Sequence, residues 1–155
     1  MNLSLIHRDI GEESQLAEFA QEFAPCLRPP LVIYLVGPLG AGKTTFVRAL
    51  AGALGYSGRV KSPTYGLMER YEIGEMSLLH LDLYRLENEA ELDFLALRDE
   101  FTGNSVLLIE WPGRGGSTVP AADVMVQFSE AVEDRSLTVS ARSLAGEGVV
   151  SGISR

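Results

Sequence analysis

The sequence predicts an α/β fold, with a mainly parallel central sheet, helices on both faces and antiparallel strands added near the C-terminus. A continuous apolar run, Leu31–Val36, is followed by a glycine-rich loop and an amphipathic segment, which is the order strand, loop, helix. Two further apolar runs, Leu78–Asp82 and Val106–Glu110, have the composition of buried parallel strands. Alternating residues at Val124–Phe128 and Ser136–Ala141 indicate two antiparallel strands joined by an acidic turn.

Length and charge limit the classes of protein that this chain can belong to. A length of 155 residues predicts one domain, 1–155, with a normal core. A net charge of −8 without a basic stripe argues against direct binding of nucleic acid. Because no apolar run could span a bilayer and the first residues lack signal-peptide features, we expect a cytoplasmic protein that binds no membrane. The single Cys26 excludes an internal disulfide and argues against a metal cluster.

A strand and a helix are expected before the apolar run. Leu3–Ile6 is the candidate strand. A helix is expected from near Gly11 to about Cys26, because large apolar residues recur there on one helical face. The prolines at 29 and 30 then end this segment and begin the next strand.

The loop Gly37–Thr44, GPLGAGKT, matches the phosphate-binding pattern of two glycines separated by four residues and followed by Lys and Thr. Its glycines permit positive φ angles and a close approach of backbone N–H groups to phosphate. Lys43 would reach the β- and γ-phosphates, and the hydroxyl of Thr44 would hold Mg²⁺. The helix expected over Thr45–Leu54 directs its positive dipole end at the anion. A glycine-rich turn that binds nothing is the disfavoured alternative.

A polar triplet, SPT at 62–64, separates the loop helix from the next strand. Pro63 disfavours helix at Ser62, so the triplet is interpreted as a loop that enters a strand. In nucleotide switches a loop at this place offers a Thr hydroxyl or carbonyl to Mg²⁺ and the γ-phosphate, which makes Thr64 a candidate. The alternative is a simple turn or cap.

Two of the predicted strands end in a carboxylate, Asp82 and Glu110. Parallel α/β sheets bind their ligands at the carboxyl ends of strands. A Mg²⁺ that bridges the β- and γ-phosphates takes the loop Thr and a strand-end acid, directly or through water. Either acid alone could be a solvated strand end, but two of them after a phosphate loop weaken that interpretation. His80 shares a face with Asp82, so it either orients Asp82 or is an ordinary core histidine.

Several shorter features allow more than one interpretation. The tail from Ala145 is expected to form another short strand or to fray. Trp111 covers the site, meets a partner or only packs, and Asn88 is a candidate cap for a helix that follows it. The residues that contact adenine are open, with Glu12 and Asp134 as flanking candidates.

Four motifs occur in order along the chain: GPLGAGKTTFVRAL, SPTYGLMERY, HLDLYRLE with ELDFLALRDEF, and LIEWPGRG. Together they resemble the TsaE (YjeE) family, the small bacterial P-loop ATPases needed for making threonylcarbamoyladenosine in tRNA. The resemblance extends over residues 3–145 and implies a P-loop NTPase fold.

The resemblance also implies roles for individual residues. The phosphates of ATP would be cradled by Gly40, Ala41, Gly42, Lys43, Thr44 and Thr45. Mg²⁺ would be held by Thr44 and Glu110. Thr64 would belong to the switch loop, and Asp82 would position metal or water and activate the attacking water. Lys43, Asp82 and Thr64 are therefore the catalytic candidates.

Members of the family are similar in hydrolysing ATP slowly alone and in working with a partner complex of TsaB- and TsaD-type subunits. The resemblance implies that this partner carries the modifying active site and holds most of the tRNA, which agrees with the acidic charge of the chain. One departure is Gly113, which stands where many members carry an acid. No role of that acid is carried over to this chain, and Arg114 is not assumed to replace it.

The mechanistic hypothesis is in-line attack of water on the γ-phosphate of ATP, with Lys43, Mg²⁺ and loop N–H groups stabilising the developing charge. A small P-loop kinase acting on a metabolite or nucleotide is the first alternative, although the sequence shows no arginine-rich lid. A nucleotide-dependent binding module whose hydrolysis is incidental is the second. A GTPase is disfavoured because there is no NKxD-type motif for guanine.

Overall fold

The structure is a computed structural model that describes residues 4–61, 63, 67–88, 90–91 and 97–153. Leu3, Thr64 and the stretch 92–96 therefore lie outside the described residues. The strands are β1 Leu5–Asp9, β2 Leu31–Val36, β3 Met68–Ile73, β4 Met76–Asp82, β5 Ser105–Glu110, β6 Val124–Phe128 and β7 Ser136–Ala141. The helices are α1 Glu13–Phe23, α2 Lys43–Ala53, α3 Leu97–Glu100 and α4 Leu144–Ile153, with 3₁₀ turns at Ala24–Cys26 and Pro112–Thr118.

The seven described strands form one mixed sheet in the order β1-β7-β6-β2-β5-β4-β3. The four central strands, β4, β5, β2 and β6, run parallel to one another. Strands β3, β7 and β1 extend the sheet by antiparallel pairing. The α/β class and the parallel centre are thus confirmed. The interpretation of β6 and β7 as an antiparallel addition is half wrong, because β6 pairs in parallel with β2.

Helices α1, α2 and α4 cover one face of this sheet, where four phenylalanines form the centre of the core. The ring centroid of Phe46 lies 5.6 Å from that of Phe19, 5.6 Å from that of Phe23 and 6.4 Å from that of Phe128. All four side chains are buried. This packing fixes α2 against the strands and thereby fixes Lys43, its first residue.

The opposite face carries a second, smaller core. Leu79 and Leu107 of the sheet pack there with Leu97 of α3 and with Val119, which follows the 3₁₀ helix Pro112–Thr118. Among the residues that the structure describes, the helical cover of this face consists of these short segments. Helices on both faces are therefore found, but the cover is unequal.

The C-terminal tail is a helix, α4, so the expectation of a short strand or a frayed end is wrong. This helix buries Val149, Val150 and Ile153 against the sheet. Gly146 permits the close contact, since a Cβ added there would lie 1.7 Å from the carbonyl oxygen of Asp123. Glycines lower helix propensity, which is why the sequence pattern argued against a helix, but this glycine is needed for packing.

No helix in the described ranges could cross a membrane. The longest of them, α1 and α2, each have 11 residues. At about 1.5 Å per residue such a helix covers roughly half of the ~30 Å hydrocarbon core of a bilayer.

Candidate functional site

A cleft of about 1290 Å³ opens at the carboxyl ends of the central strands. One wall consists of residues 40–45, which belong to the glycine-rich loop and the start of α2. The floor comes from the ends of β4 and β5 with the residues just after them, at 82, 84, 110 and 111. The sheet thus brings Lys43, Thr44, Asp82 and Glu110 to one cavity, although they are far apart in sequence.

The glycine-rich loop wraps around the N-terminus of α2. Gly40 and Gly42 have φ angles of +76° and +110°, the left-handed values that L-residues rarely adopt. Gly42 is the N-cap of α2, and its carbonyl accepts the first helical hydrogen bond from the N–H of Phe46 at 2.8 Å. The helix end, with its unpaired N–H groups, therefore faces the cleft and favours an anion there.

Lys43 is buried at the wall of this cleft, with 5% of the residue exposed. Its ammonium donates to the carbonyl oxygens of Gly37 and of Pro38, the latter at 3.0 Å. The same nitrogen lies 4.1 Å from the ring centroid of Trp111, a cation–π contact. Burial lowers the pKa of Lys43, and the negative charges of Glu110 and Asp82 partly oppose this effect. The ammonium is thus held by the loop itself, at the place where phosphate would provide a stronger partner.

Glu110 is a buried carboxylate that joins two elements of the site. Its Oε2 accepts a hydrogen bond from the Thr44 hydroxyl at 2.9 Å. The same oxygen lies 2.5 Å from Nε2 of His80, a residue with no exposed surface. Sequence reasoning linked His80 with Asp82, its neighbour on β4, but the side-chain contact is with Glu110 on β5. Only the register of the two parallel strands reveals this partner.

Asp82 lies directly opposite Glu110 in the register of β4 and β5. Its Oδ1 accepts a hydrogen bond from the backbone N–H of Tyr84 at 3.0 Å. Burial raises the pKa of Asp82, and the charge of Glu110 adds to the increase, whereas the Tyr84 N–H, His80 and Lys43 oppose it. A carboxylate with a raised pKa at the floor of a cleft is suited to accepting a proton.

Sequence reasoning did not predict the aromatic cluster on the floor of this cleft. The rings of Tyr84 and Trp111 lie 5.1 Å apart, and the guanidinium of Arg114 lies 5.2 Å from the Tyr84 ring centroid. Trp111 adopts a left-handed conformation with φ of 58°, which turns the chain sharply after β5. The position of Trp111 next to Glu110 was the available signal, whereas nothing in the sequence joined Arg114 to Tyr84.

The far side of the cleft is formed by residues 9–13 and by the turn between β6 and β7 at 132–135. The two adenine-flanking candidates, Glu12 and Asp134, both line this side. It is rich in carboxylates, namely Asp9, Glu12, Glu13, Glu133 and Asp134. Adenine contacts of these residues remain a prediction.

The oxygen-bearing side chains at the strand ends suit a hard cation most of whose ligands are not protein atoms. The described residues contain no group of three or more His, Cys, Asp or Glu side chains that could hold a metal ion. Two carboxylates and one hydroxyl, from Asp82, Glu110 and Thr44, are too few for an all-protein site. Mg²⁺ bound to a polyphosphate keeps water and phosphate oxygens and needs only one or two protein ligands, so these residues fit it.

Comparisons with known proteins agree on one family. The family model described as threonylcarbamoyl adenosine biosynthesis protein TsaE matches residues 10–137. The chain is 37% identical to the tRNA threonylcarbamoyladenosine biosynthesis protein TsaE of Haemophilus influenzae, over 94% of this chain and 95% of that one. It is 36% identical to the TsaE protein of Bacillus subtilis, over 84% of this chain and 80% of that one. The crystal structure of Bacillus subtilis YdiB is similar, with a TM-score of 0.83, 27% identity and coverage of 100% of this chain and 97% of that chain.

Proposed function

The chain belongs to the TsaE family, which acts in threonylcarbamoyladenosine biosynthesis on tRNA, and from this premise we propose that it binds and slowly hydrolyses Mg·ATP in the cleft. The observation that carries the proposal is the meeting of Lys43, Thr44, Asp82 and Glu110 at the N-terminus of α2. One ammonium, one hydroxyl, two carboxylates and a helix N-terminus form a set that a Mg²⁺-bound polyphosphate would complete. The nucleotide-binding domain would comprise residues 1–155.

The phosphates would lie on the loop, against the backbone of residues 40–45. Lys43 would leave the carbonyls of Gly37 and Pro38, which hold it now, and move to the β- and γ-phosphates. Thr44 and Glu110 would hold Mg²⁺, which when bound screens the phosphate charge and orients the γ-phosphoryl group. The base of ATP would extend toward the far side of the cleft, between Glu12 and Asp134.

Hydrolysis would be an in-line displacement. The oxygen of a water molecule attacks the γ-phosphorus while the bond from that phosphorus to the β,γ-bridging oxygen breaks, which gives ADP and inorganic phosphate. Asp82 would orient this water and accept its proton, as its raised pKa favours. Lys43 and the N–H groups at the start of α2 would stabilise the charge on the transferring phosphoryl group and on the leaving ADP.

The useful result of turnover would be conformational. Thr64 would contribute to a loop that ATP orders and hydrolysis releases, and the change would remodel a partner complex of TsaB- and TsaD-type subunits. The net charge of −8 supports an arrangement in which the partner complex holds the tRNA and this chain does not bind it directly.

Replacement of Lys43 by Ala tests this proposal most simply. We expect the variant to lose ATP turnover by at least about 100-fold, measured as release of inorganic phosphate with the partner complex present. Arg142, which is exposed and lines no part of the cleft, provides a control cation, and Arg142→Ala should retain turnover. Undiminished phosphate release by Lys43→Ala would reject the assignment. Phosphate release without an added acceptor also separates an ATPase from a kinase.

A further inference from the structure

The proposed Mg·ATP site rests on a buried histidine that its mechanism does not use. His80 lies in the middle of the sheet with no exposed surface, and Nε2 approaches the Glu110 carboxylate at 2.5 Å. Because a carboxylate oxygen can only accept, the hydrogen lies on Nε2. Nδ1 of the same ring has no hydrogen-bond partner among the described residues. A buried nitrogen without a partner costs free energy, so His80 is not explained as an ordinary, fully satisfied core histidine.

The two donors to Glu110 converge on the same oxygen. Oε2 accepts from Nε2 of His80 and from the hydroxyl of Thr44, at 2.5 and 2.9 Å. A carboxylate oxygen has about two lone-pair positions, so both positions on Oε2 are taken. Oε1 is the oxygen left for a cation or for a water bound to it. The Thr44 hydroxyl, whose hydrogen is committed to Glu110, has its lone pairs free to face the cleft.

We propose that His80 is a positioning residue for the magnesium site, and that it acts by fixing the Glu110 carboxylate so that Oε1 and the Thr44 hydroxyl both present lone pairs to the cation. This inference rests on the proposed function. Without the Nε2–H donor, the carboxylate could rotate about its last bond, and the Thr44 hydroxyl would lose its fixed acceptor. His80 would touch neither the nucleotide nor the metal.

The test compares replacements that keep or remove a donor at the position of Nε2. His80→Gln retains an N–H donor at a similar reach, whereas His80→Met has a similar length and no donor. The affinity for ADP and for a non-hydrolysable ATP analogue is measured by calorimetry in Mg²⁺ and again in EDTA. The dissociation constant in EDTA divided by that in Mg²⁺ is the metal-dependent gain in nucleotide affinity. Mn²⁺ binding, monitored by electron paramagnetic resonance, gives an independent readout.

We expect the metal-dependent gain in nucleotide affinity to be about 10- to 100-fold smaller in His80→Met than in the unsubstituted protein. This is the range typical of groups that hold a metal ligand in place. His80→Gln should stay within about threefold of the unsubstituted protein by the same reasoning. Affinities in EDTA should be equal for all three proteins, which a general loss of structure would not produce. If His80→Met does not fold, His80→Asn replaces it, because its amide is too short to reach Glu110.

Two results would overturn the inference while leaving the proposed function intact. The first is a full metal-dependent gain in His80→Met, or in His80→Asn where that variant replaces it. The second is a loss in His80→Gln as large as in the donorless variant, which would mean that only the ring shape matters. If the unsubstituted protein binds nucleotide equally with and without Mg²⁺, the proposed function and this inference both fail.

Discussion

Replacement of Gly37 by Ala tests whether the glycine-rich loop depends on its contact with β6. A Cβ added at Gly37 would lie 2.8 Å from the Cβ of Phe128 and 3.2 Å from its carbonyl oxygen. Phe128 is buried against Phe46 of α2, so it has little room to move. The φ angle of Gly37 is +153°, which L-residues rarely adopt, so the loop itself would also be strained.

The expected cost is about 1–3 kcal/mol in the free energy of unfolding, the usual range for a side chain forced into a packed site. The loop must move away from Phe128, and this shift would displace the backbone of residues 40–45, against which the phosphates would lie. We therefore expect the affinity for Mg·ATP to fall by about tenfold or more, since 1.4 kcal/mol of lost fit corresponds to a factor of ten.

Gly52→Ala is the matched control. Gly52 is exposed inside α2, and nothing lies within 4 Å of a Cβ added there. Alanine should stabilise the helix by about 0.5–1 kcal/mol and leave nucleotide affinity unchanged. Urea unfolding followed by circular dichroism and calorimetric titration measure the two quantities. The reasoning is refuted if Gly37→Ala matches the unsubstituted protein in both, or if Gly52→Ala weakens binding as much as Gly37→Ala does.

Three further predictions concern Asp82, α4 and Trp111. Because burial raises the pKa of Asp82 above its ordinary 3.8, the contribution of Asp82 to the free energy of unfolding falls as pH rises from 3.8 through the raised pKa. Asp82→Asn should therefore melt higher than the unsubstituted protein at pH 7 and show no such gain below pH 3.8; equal melting temperatures at pH 7 would contradict this. Gly146→Ala should lower the free energy of unfolding by several kcal/mol, because α4 must move away from the Asp123 carbonyl. Gly148→Ala has nothing within 4 Å of the added Cβ, so it should raise this free energy by about 0.5–1 kcal/mol in the same urea titration. Trp111 is the chain's one tryptophan and stacks on the ammonium that would move to phosphate, so its fluorescence should change on addition of Mg·ATP but not of Mg²⁺ alone.

The central strands and the cleft could be predicted because local pattern and topology agree there. The apolar runs ending at Val36, Asp82 and Glu110 correspond to β2, β4 and β5, and parallel pairing brings their carboxyl ends to one edge. The loop glycines indicated the start of α2, which begins at Lys43, two residues before the expected Thr45. Elements that a short stretch of sequence determines can be predicted from the sequence alone.

Features that depend on register or on long-range packing could not be predicted. The contact between His80 and Glu110 requires the alignment of β4 with β5, which no local pattern encodes. The helix α4 has a glycine-rich sequence of low helix propensity, and its stability comes from burying Val149 and Val150 on the sheet. The stacking of Arg114 on Tyr84 joins two loops that only the folded sheet brings together.

The central claim is that a magnesium triphosphate binds at the N-terminus of α2 between two strand-end carboxylates. Calorimetric titration of the protein with ATP and Mg²⁺, at two temperatures so that a small binding enthalpy is not mistaken for no binding, tests it most directly. The account predicts saturable one-to-one binding that Thr44→Ala and Glu110→Gln each weaken by about tenfold or more in Mg²⁺ but not in EDTA. No saturable heat at either temperature, or binding that both variants leave unchanged, would contradict it.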